Sequence, residues 1–278
     1  SYEKSYFSND SHNFSNLINA ILKDKKLISL DVGAQGGFNS DNFFPVKYNK
    51  FFNCILVEPI KSEAEKLERK NNIIDKALWS SKGKKVIYIL GNRLGSSSMY
   101  KLDTEKLDLH DMNDKEIEKF KVTETVEVEC DTLENSLKSL NINNLDYLKI
   151  DTQGAELEIL KGIGEYRPLL IKIEAHIFSM YKDTPAWTKL VDRLNDLNYV
   201  LIDFKQIGKH KTRVPAEMDM LFINNFYNDT GKKKIIDNLE KFKALLLIFG
   251  QINTLKLILK KLKIDSTDIN KYEDLYFN

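Results

Sequence analysis

The sequence DVGAQGGFNS at residues 31–40 decides how this chain folds. It follows an apolar run that begins at Leu27, and it precedes a second apolar run that ends in Val57-Glu58-Pro59. An apolar run leading into a glycine-rich turn is typical of a β-strand whose end binds a ligand, because glycine adopts positive φ and lets backbone amides approach closely. We therefore predict two neighbouring strands whose ends form a ligand-binding turn.

The residues around this turn indicate a nucleoside. Glu58 closes the second run, where its carboxylate can accept hydrogen bonds from both hydroxyls of a ribose. A dinucleotide site would show G-x-G-x-x-G, but Gly33 is followed by Ala-Gln before the glycine pair at 36 and 37, which disfavours a pyrophosphate cradle. S-adenosylmethionine carries a carboxylate and an ammonium group, and a glycine turn beside Asp31 suits it. The alternative is a plain strand-to-helix connection.

Composition excludes several classes of protein. The chain has 278 residues, of which 30% are charged, and its net charge is +1, so no strong field favours nucleic acid or a membrane. Cys54 and Cys130 lack C-x-x-C spacing and are predicted to be buried thiols. The N-terminus is polar, and no stretch reaches the roughly 20 apolar residues that span a bilayer. We predict a soluble, cytoplasmic protein that binds no nucleic acid.

The pattern along the chain predicts an α/β sheet. Apolar strands alternate with charged helices, which favours parallel strands covered on both faces. Asp151 falls at the carboxyl end of the strand in LDYLKID, where open α/β sheets place their ligands. Residues 199–204 and 218–223 are predicted to close the sheet as an antiparallel pair. Residues 102–120 are too polar for a core and are predicted to be either a substrate-facing loop or a solvated linker with a charged helix.

The C-terminal segment has a different composition. From residue 231 onward, lysines alternate with Ile, Leu and Phe at helical spacing, which predicts one or two amphipathic helices. They would dock on the body of the chain or on a second subunit, as in a homodimer. The alternative is contact of their basic face with a membrane surface.

With these residues laid out, the chain resembles the FkbM family of S-adenosylmethionine-dependent methyltransferases over residues 27–224. The order and spacing of seven segments carry the resemblance: DVGAQGGFNS (31–40), VEP (57–59), KALWSSKG (76–83), SSSM (96–99), LDYLKIDTQGAELEILKG (145–162), IEAH (173–176) and MDMLFIN (218–224). One departure is Gln35, which stands where the family pattern DVGAN has Asn.

The resemblance implies a class I methyltransferase fold, which is Rossmann-like. Its sheet has seven mainly parallel strands with the last strand antiparallel. Residues 27–224 would form this domain, preceded by a helical or irregular segment at 1–26 and followed by a helical extension at 225–278. The resemblance also implies the cofactor S-adenosylmethionine and these cofactor-binding residues: Asp31, Gly33, Ala34, Gly37, Glu58, Pro59, Asp75, Ala77 and Asp151.

The chemistry requires a proton acceptor, because methyl transfer to oxygen needs an aligned hydroxyl that loses its proton. His176 is predicted as the general base, since an unperturbed histidine has a pKa of about 6.5. Asp151 or Glu174 would orient it or bind the acceptor. The alternatives are a core histidine, a helix cap at Asp151 and a pairing of Glu174 with Lys172 or Lys149.

No metal site is predicted, because no second acidic or Asn ligand stands beside Asp151. The remaining histidines, His12, His110 and His210, also lack ligand spacing.

The sequence therefore predicts an S-adenosylmethionine-dependent O-methyltransferase acting on a small polar, sugar or glycan-like acceptor. Its first rival is a module of the same fold that binds a nucleoside without catalysis. Its second rival is a nicotinamide-dependent oxidoreductase, which the missing G-x-G-x-x-G makes the weakest of the three.

Overall fold

A computed structural model describes residues 14–33, 46–67, 72–110, 112–207, 213 and 215–276. Its main element is a seven-stranded sheet with the order β3-β2-β1-β7-β8-β10-β9. The strands are β1 (Leu27–Val32), β2 (Phe52–Val57), β3 (Asn72–Ile74), β7 (Tyr147–Ile150), β8 (Leu170–His176), β9 (Tyr199–Ile207) and β10 (Glu217–Asn224).

The strand order positions a ligand site. The chain starts at β1, moves outward through β2 and β3, and then returns to the other side of β1 with β7. This reversal leaves a crevice at the carboxyl ends of β1 and β7, where open parallel sheets bind their ligands. β10 runs antiparallel between β8 and β9. The predicted class I methyltransferase fold, with its antiparallel last strand, is confirmed.

A second, three-stranded sheet is inserted between β3 and β7. It has the order β4-β6-β5, with β4 at Ala77–Leu78, β5 at Gly83–Ile89 and β6 at Glu124–Asp131. The sequence predicts one extended run over residues 72–78, but the structure divides this run between the two sheets. β3 is the edge strand of the main sheet and has only three residues. The chain then leaves this sheet, and β4 pairs with β6 in the second sheet.

Helices cover both faces of the main sheet. One face packs against α4 (Leu133–Ser139), α5 (Glu156–Lys161) and α6 (Trp187–Asp196). The other face packs against α1 (Ser15–Leu22), α7 (Asp229–Asp237), α8 (Leu239–Ile248) and α9 (Ile252–Lys261). The short helix α2 (Lys61–Leu67) follows β2, and α10 (Thr267–Tyr276) ends the described chain.

The C-terminal segment forms four helices in the described residues, α7 to α10, so the expectation of one or two was too low. Gly250 and Lys263 adopt positive φ, which ends α8 and α9 and divides the apolar pattern. These helices share one core with α1 and the sheet of the same chain, and α8 is the most deeply buried of them. Within the described part of the chain, every helix is too short or too polar to cross a membrane.

The segment at residues 102–120 differs from its prediction. It contains a 3-10 helix at Thr104–Leu109 and the charged helix α3 at Asp114–Glu118. Leu107 and Phe120 are nevertheless buried in a small core with Leu90, Met180 and Tyr181. These few apolar side chains are enough to form a core, because the segment packs against the loop after β8. The two cysteines are free and buried, as predicted.

Candidate active site

A cleft of about 700 Å³ opens at the carboxyl ends of β1, β2 and β7. Gly33 follows β1, Glu58 follows β2, and Asp151 follows β7, so each lies directly after the carboxyl end of its strand. The second sheet supplies Ala77, Leu78 and Ile87 to the same space. The full lining, which we call the cofactor cleft, is Val32, Gly33, Val57, Glu58, Pro59, Ile60, Ala77, Leu78, Ile87, Leu94, Gly95, Ser97, Ser98, Met99, Asp151, Thr152, Gln153 and Ala155.

Gly33 is required at its position by the backbone of a neighbouring strand. Its φ is +91°, and a Cβ placed there would lie 1.8 Å from the carbonyl oxygen of Asp151. The two strand ends touch, since the Asp151 amide also donates to the carbonyl of Val32 at 3.0 Å. The glycine therefore permits close packing of β1 against β7, whereas the sequence predicted close approach to a ligand. Ala34, Gly36 and Gly37 lie outside the described residues.

Glu58 presents a buried carboxylate to the cofactor cleft. Its amide donates to the carbonyl of Ile74 at 3.0 Å, and its Oε1 accepts the amide of Ile60 at 2.9 Å. Burial raises the pKa of Glu58, and the Ile60 amide offsets part of that rise. Only one carboxylate oxygen is used by Ile60, so the group can still accept hydrogen bonds from a diol such as ribose. Asp75, predicted to bind the cofactor, is not among the lining residues.

Asp151 reaches the cofactor cleft and is fixed by its neighbours. Its side chain is 23% exposed, and its Oδ1 accepts the side-chain amide of Gln153 at 3.0 Å. Gln153 adopts φ +58° and uses the same nitrogen to donate to Oε1 of Glu174 at 2.9 Å. Its other end is held by the Tyr181 hydroxyl at 2.9 Å, and Ser98 donates to its carbonyl at 2.6 Å. Gln153 thereby links Asp151 to Glu174.

The predicted alternative of Asp151 as a helix cap is not seen. Ala155 occupies the N-cap position of α5, without a side-chain hydrogen bond. Glu156 satisfies the turn instead, accepting the amides of Thr152 and Gly154 at 3.1 Å each. Asp151 is therefore left to face the cleft.

Lys149 is buried between two carboxylates. Its Nζ lies 3.2 Å from Asp31 and 3.7 Å from Asp151. Burial lowers the pKa of Lys149, but the charges of Asp31 and Asp151 outweigh it and raise that pKa overall. Asp31 itself is fully buried and is not part of the cleft lining. Its predicted contact with the cofactor is therefore not visible among the described residues.

A charged cluster of Glu174, His176 and Glu217 lies beside the cofactor cleft. Nε2 of His176 is 3.6 Å from Glu174, and Nδ1 is 3.5 Å from Glu217. The ring also packs edge-on against Tyr181, at 5.7 Å between centroids. His176 does not line the cofactor cleft, but it does line a small adjoining cavity. Glu174 pairs with Gln153 and His176 rather than with either predicted lysine.

Sequence reasoning missed Glu217 and the lysine pairings. Lys172 lies 3.1 Å from Asp219, and both side chains are largely buried. The sequence did contain a sign of Glu217 and Asp219. In EMDMLFIN these two carboxylates alternate with Met218 and Met220, so they lie on the opposite face of the strand from the methionines. Their partners on β8 follow only from the antiparallel register.

No curated protein sequence matches the chain at a significant level. Solved structures that resemble it include a Burkholderia thailandensis 1,6-didemethyltoxoflavin-N1-methyltransferase with bound S-adenosylhomocysteine (10% identity, 77% of this chain, 79% of that chain, TM-score 0.34). A second is a Geobacter metallireducens precorrin-6y C5,15-methyltransferase (12% identity, 77% of this chain, 90% of that chain, TM-score 0.34). A third is M. capricolum TrmK with S-adenosylhomocysteine (15% identity, 95% of this chain, 100% of that chain, TM-score 0.34).

A family profile described as the methyltransferase FkbM domain matches residues 31–201, which is more than half of the chain. The match begins at Asp31 and includes Glu58, Asp151 and His176. The cofactor of such enzymes is S-adenosylmethionine, and the buried carboxylate of Glu58 in the cleft suits the hydroxyls of its ribose. The chain therefore belongs to the FkbM family of S-adenosylmethionine-dependent methyltransferases.

Proposed function

We propose that this enzyme transfers a methyl group to a hydroxyl of a small polar, sugar or glycan-like acceptor. One observation carries the proposal: a single cleft joins the buried carboxylate of Glu58 to the partly exposed carboxylate of Asp151. When bound, S-adenosylmethionine supplies a methyl group on a positively charged sulfur. The chain must hold that cofactor, align the acceptor and take its proton.

The side of the cofactor cleft near β2 suits the nucleoside. Glu58 accepts the ribose hydroxyls, because its carboxylate is held in place by the amide of Ile60. Apolar side chains from the second sheet, Leu78 and Ile87, form walls suited to a flat adenine ring. Pro59 and Ala77 line the same region, as the resemblance implied. The contacts of Ala34, Gly37 and Asp75 stay predictions.

The side near β7 suits the acceptor. Asp151 is the described carboxylate at the end of β7 that reaches the cleft, and Gln153 and Lys149 hold it in one orientation. Lys149 Nζ lies 3.7 Å from the carboxylate of Asp151. Carboxylate oxygens accept hydrogen bonds, so this position suits a donor such as a hydroxyl. We propose that Asp151 binds this hydroxyl and receives its proton.

The role of His176 as general base stays a prediction. Each of its ring nitrogens lies within 4 Å of a carboxylate, and Gln153 and Glu174 connect it to Asp151. This arrangement supports an indirect role, in which His176 and Glu174 fix Gln153 and so position Asp151.

Calorimetric titration with S-adenosylhomocysteine, with NAD as control ligand, tests the cofactor assignment first. We expect binding of S-adenosylhomocysteine alone; preference for NAD would overturn the proposal. Transfer of labelled methyl from S-adenosylmethionine is then measured on sugars and on matched amino sugars. Transfer to the hydroxylated compounds that is lost in Asp151→Asn, with unchanged S-adenosylhomocysteine binding, is the expected result.

The same experiments separate the rival without catalysis. A chain that binds S-adenosylhomocysteine but transfers methyl to no hydroxylated or amino acceptor would favour a nucleoside-binding scaffold. Transfer to amino sugars alone would retain the methyltransferase and reject the oxygen acceptor.

A further inference from the structure

The charged cluster occupies the ends of two strands that are far apart in the sequence. Glu174 and His176 lie on the same face of β8, and Glu217 is the register partner of His176 on the antiparallel strand β10. One ligand atom from each side chain lies within 4.8 Å of the other two. All three side chains are at least 85% buried. The proposed methyl transfer assigns no role to Glu217.

Histidine nitrogens in this region lack hydrogen-bond partners among the described residues. Both ring nitrogens of His176 lack a hydrogen-bond partner among the described residues, and the side chain is only 5% exposed. His110 is a second buried histidine whose Nε2 has no partner in the described structure. Its ring forms a hydrogen bond with the backbone of Phe178, and it interacts electrostatically with Glu217 and His176. Buried polar atoms are normally satisfied, so these nitrogens indicate a missing ligand.

The charge of the region also indicates a cation. Glu174 faces the acidic side chains of Asp151, Glu217 and Asp219, and His176 is the basic side chain described within 4 Å of it. The buried lysines nearby pair with other carboxylates, as described above. Buried carboxylates are rarely left without a compensating charge.

We propose that Glu174, His176 and Glu217 bind one divalent first-row transition-metal ion. Carboxylate and imidazole ligands together suit Mn²⁺, Fe²⁺ or Zn²⁺ better than Mg²⁺, which prefers oxygen ligands and water. Small side-chain movements would bring the ligand atoms to the roughly 3 to 3.5 Å separations that bonds of about 2.1 Å require.

Neighbouring groups would orient the ligands of such an ion. Gln153 donates to Oε1 of Glu174 at 2.9 Å and so fixes that carboxylate. The adjoining cavity lined by His176 provides space for a further ligand.

The consequence for catalysis rests on the proposed function, whereas the binding itself does not. An ion at the cluster would hold Glu174 in place, and through Gln153 it would help to fix the orientation of Asp151.

The test uses the full chain, freed of metal by a chelator and without cofactor. Mn²⁺ is titrated in, and its binding is followed by calorimetry and by electron paramagnetic resonance. We expect one saturable Mn²⁺ per chain, with pulsed spectra showing coupling to a histidine nitrogen. No saturable binding at millimolar Mn²⁺ would overturn the proposal. This measurement needs only the wild-type chain.

Variants assign the ligands. His176→Gln and Glu217→Gln should each weaken Mn²⁺ binding by at least about tenfold and remove or alter the nitrogen coupling. Glu127→Gln is the matched control, because Glu127 lies on β6 in an exposed pair with Lys84. Unchanged Mn²⁺ affinity in both cluster variants would place the ion elsewhere and overturn the proposal. Circular dichroism confirms that each variant is folded.

The two proposals fail separately. Metal-free chain that binds S-adenosylhomocysteine but not Mn²⁺ would reject the metal site and keep the methyltransferase site. Chain that binds Mn²⁺ at His176 but not S-adenosylhomocysteine would keep the metal site and reject the cofactor assignment.

Discussion

The cofactor cleft and the charged cluster lie at the same end of one sheet, but they are built differently. The cleft uses residues that follow strands, Gly33, Glu58 and Asp151, at points where the backbone turns. The cluster uses residues inside strands, where Glu217 on β10 meets His176 on β8. The first arrangement depends on local turns, and the second on which strands are neighbours. Gln153 connects the two regions, because its side-chain nitrogen donates to both Asp151 and Glu174.

Removing the buried positive charge beside the cofactor cleft should have the largest effect. Lys149→Met leaves the carboxylates of Asp31 and Asp151 without their buried partner. We expect the free energy of unfolding to fall by about 3–5 kcal/mol, the usual result of breaking one side of a buried ion pair. Urea denaturation measures this change.

The control for that variant is Lys84→Met, which removes a surface lysine paired with Glu127 and Glu129. Its effect should be far smaller, because water screens exposed pairs. Adding Asp31→Asn to Lys149→Met should restore part of the lost stability. Equal losses in the two lysine variants would show that Lys149 does not compensate a buried charge.

The second prediction concerns the contact of β1 with β7. Gly33→Ala places a Cβ 1.8 Å from the Asp151 carbonyl at φ +91°, so strand ends must separate. We expect a loss of about 2–4 kcal/mol in the free energy of unfolding. Gly83→Ala is the control, since a Cβ there has no atom within 4 Å. A similar small effect at both glycines would mean that the two strand ends are not in contact.

These two regions also differ in how far the sequence predicts them. Glu58 and Asp151 could be placed because each directly follows an apolar run, and such ends meet at one edge of a parallel sheet. Glu217 could not, since its approach to His176 depends on β10 inserting antiparallel between β8 and β9. Gly33 was singled out for a ligand contact, which stays a prediction, but its close approach to Asp151 could not be foreseen because Asp151 is distant in sequence.

The division of residues 72–78 between two sheets was likewise invisible, because periodicity reports burial and not the partner strand.

The third prediction tests the cofactor cleft alone. Glu58→Gln keeps an oxygen that can accept a hydrogen bond from the Ile60 amide. It removes the negative charge to which the ribose hydroxyls would donate hydrogen bonds. The affinity for S-adenosylhomocysteine should fall by about tenfold to a hundredfold, since hydrogen bonds to a charged group are the stronger ones. Calorimetry measures this fall, with the more exposed Glu63→Gln on α2 as control. Wild-type affinity in Glu58→Gln would remove Glu58 from the ribose site.

The fourth prediction uses the buried position of Glu58. Burial raises its pKa, so in the free protein it takes up a proton at a higher pH than an exposed glutamate does. Ribose hydroxyls donate to the ionised form, and therefore affinity for S-adenosylhomocysteine should decrease as the pH falls through that raised pKa. The decrease should begin above the range of about pH 4–5 in which ordinary glutamates titrate. Titrations over a pH series measure it, and Glu58→Gln should flatten the same part of the profile.

The smallest expected effect is that of the charged cluster on cofactor binding. His176 does not line the cofactor cleft, and Gln153 and Glu174 connect it to Asp151. His176→Gln should therefore change the affinity for S-adenosylhomocysteine by less than about twofold, because sites that share no contact act independently. The rate of methyl transfer should fall in the same variant, since Asp151 loses the support that runs through Gln153. Calorimetry and methyl transfer measured on one preparation separate the two effects. Loss of cofactor affinity in this variant would show that the cleft and the cluster form one site, and the contrast between them would then have to be given up.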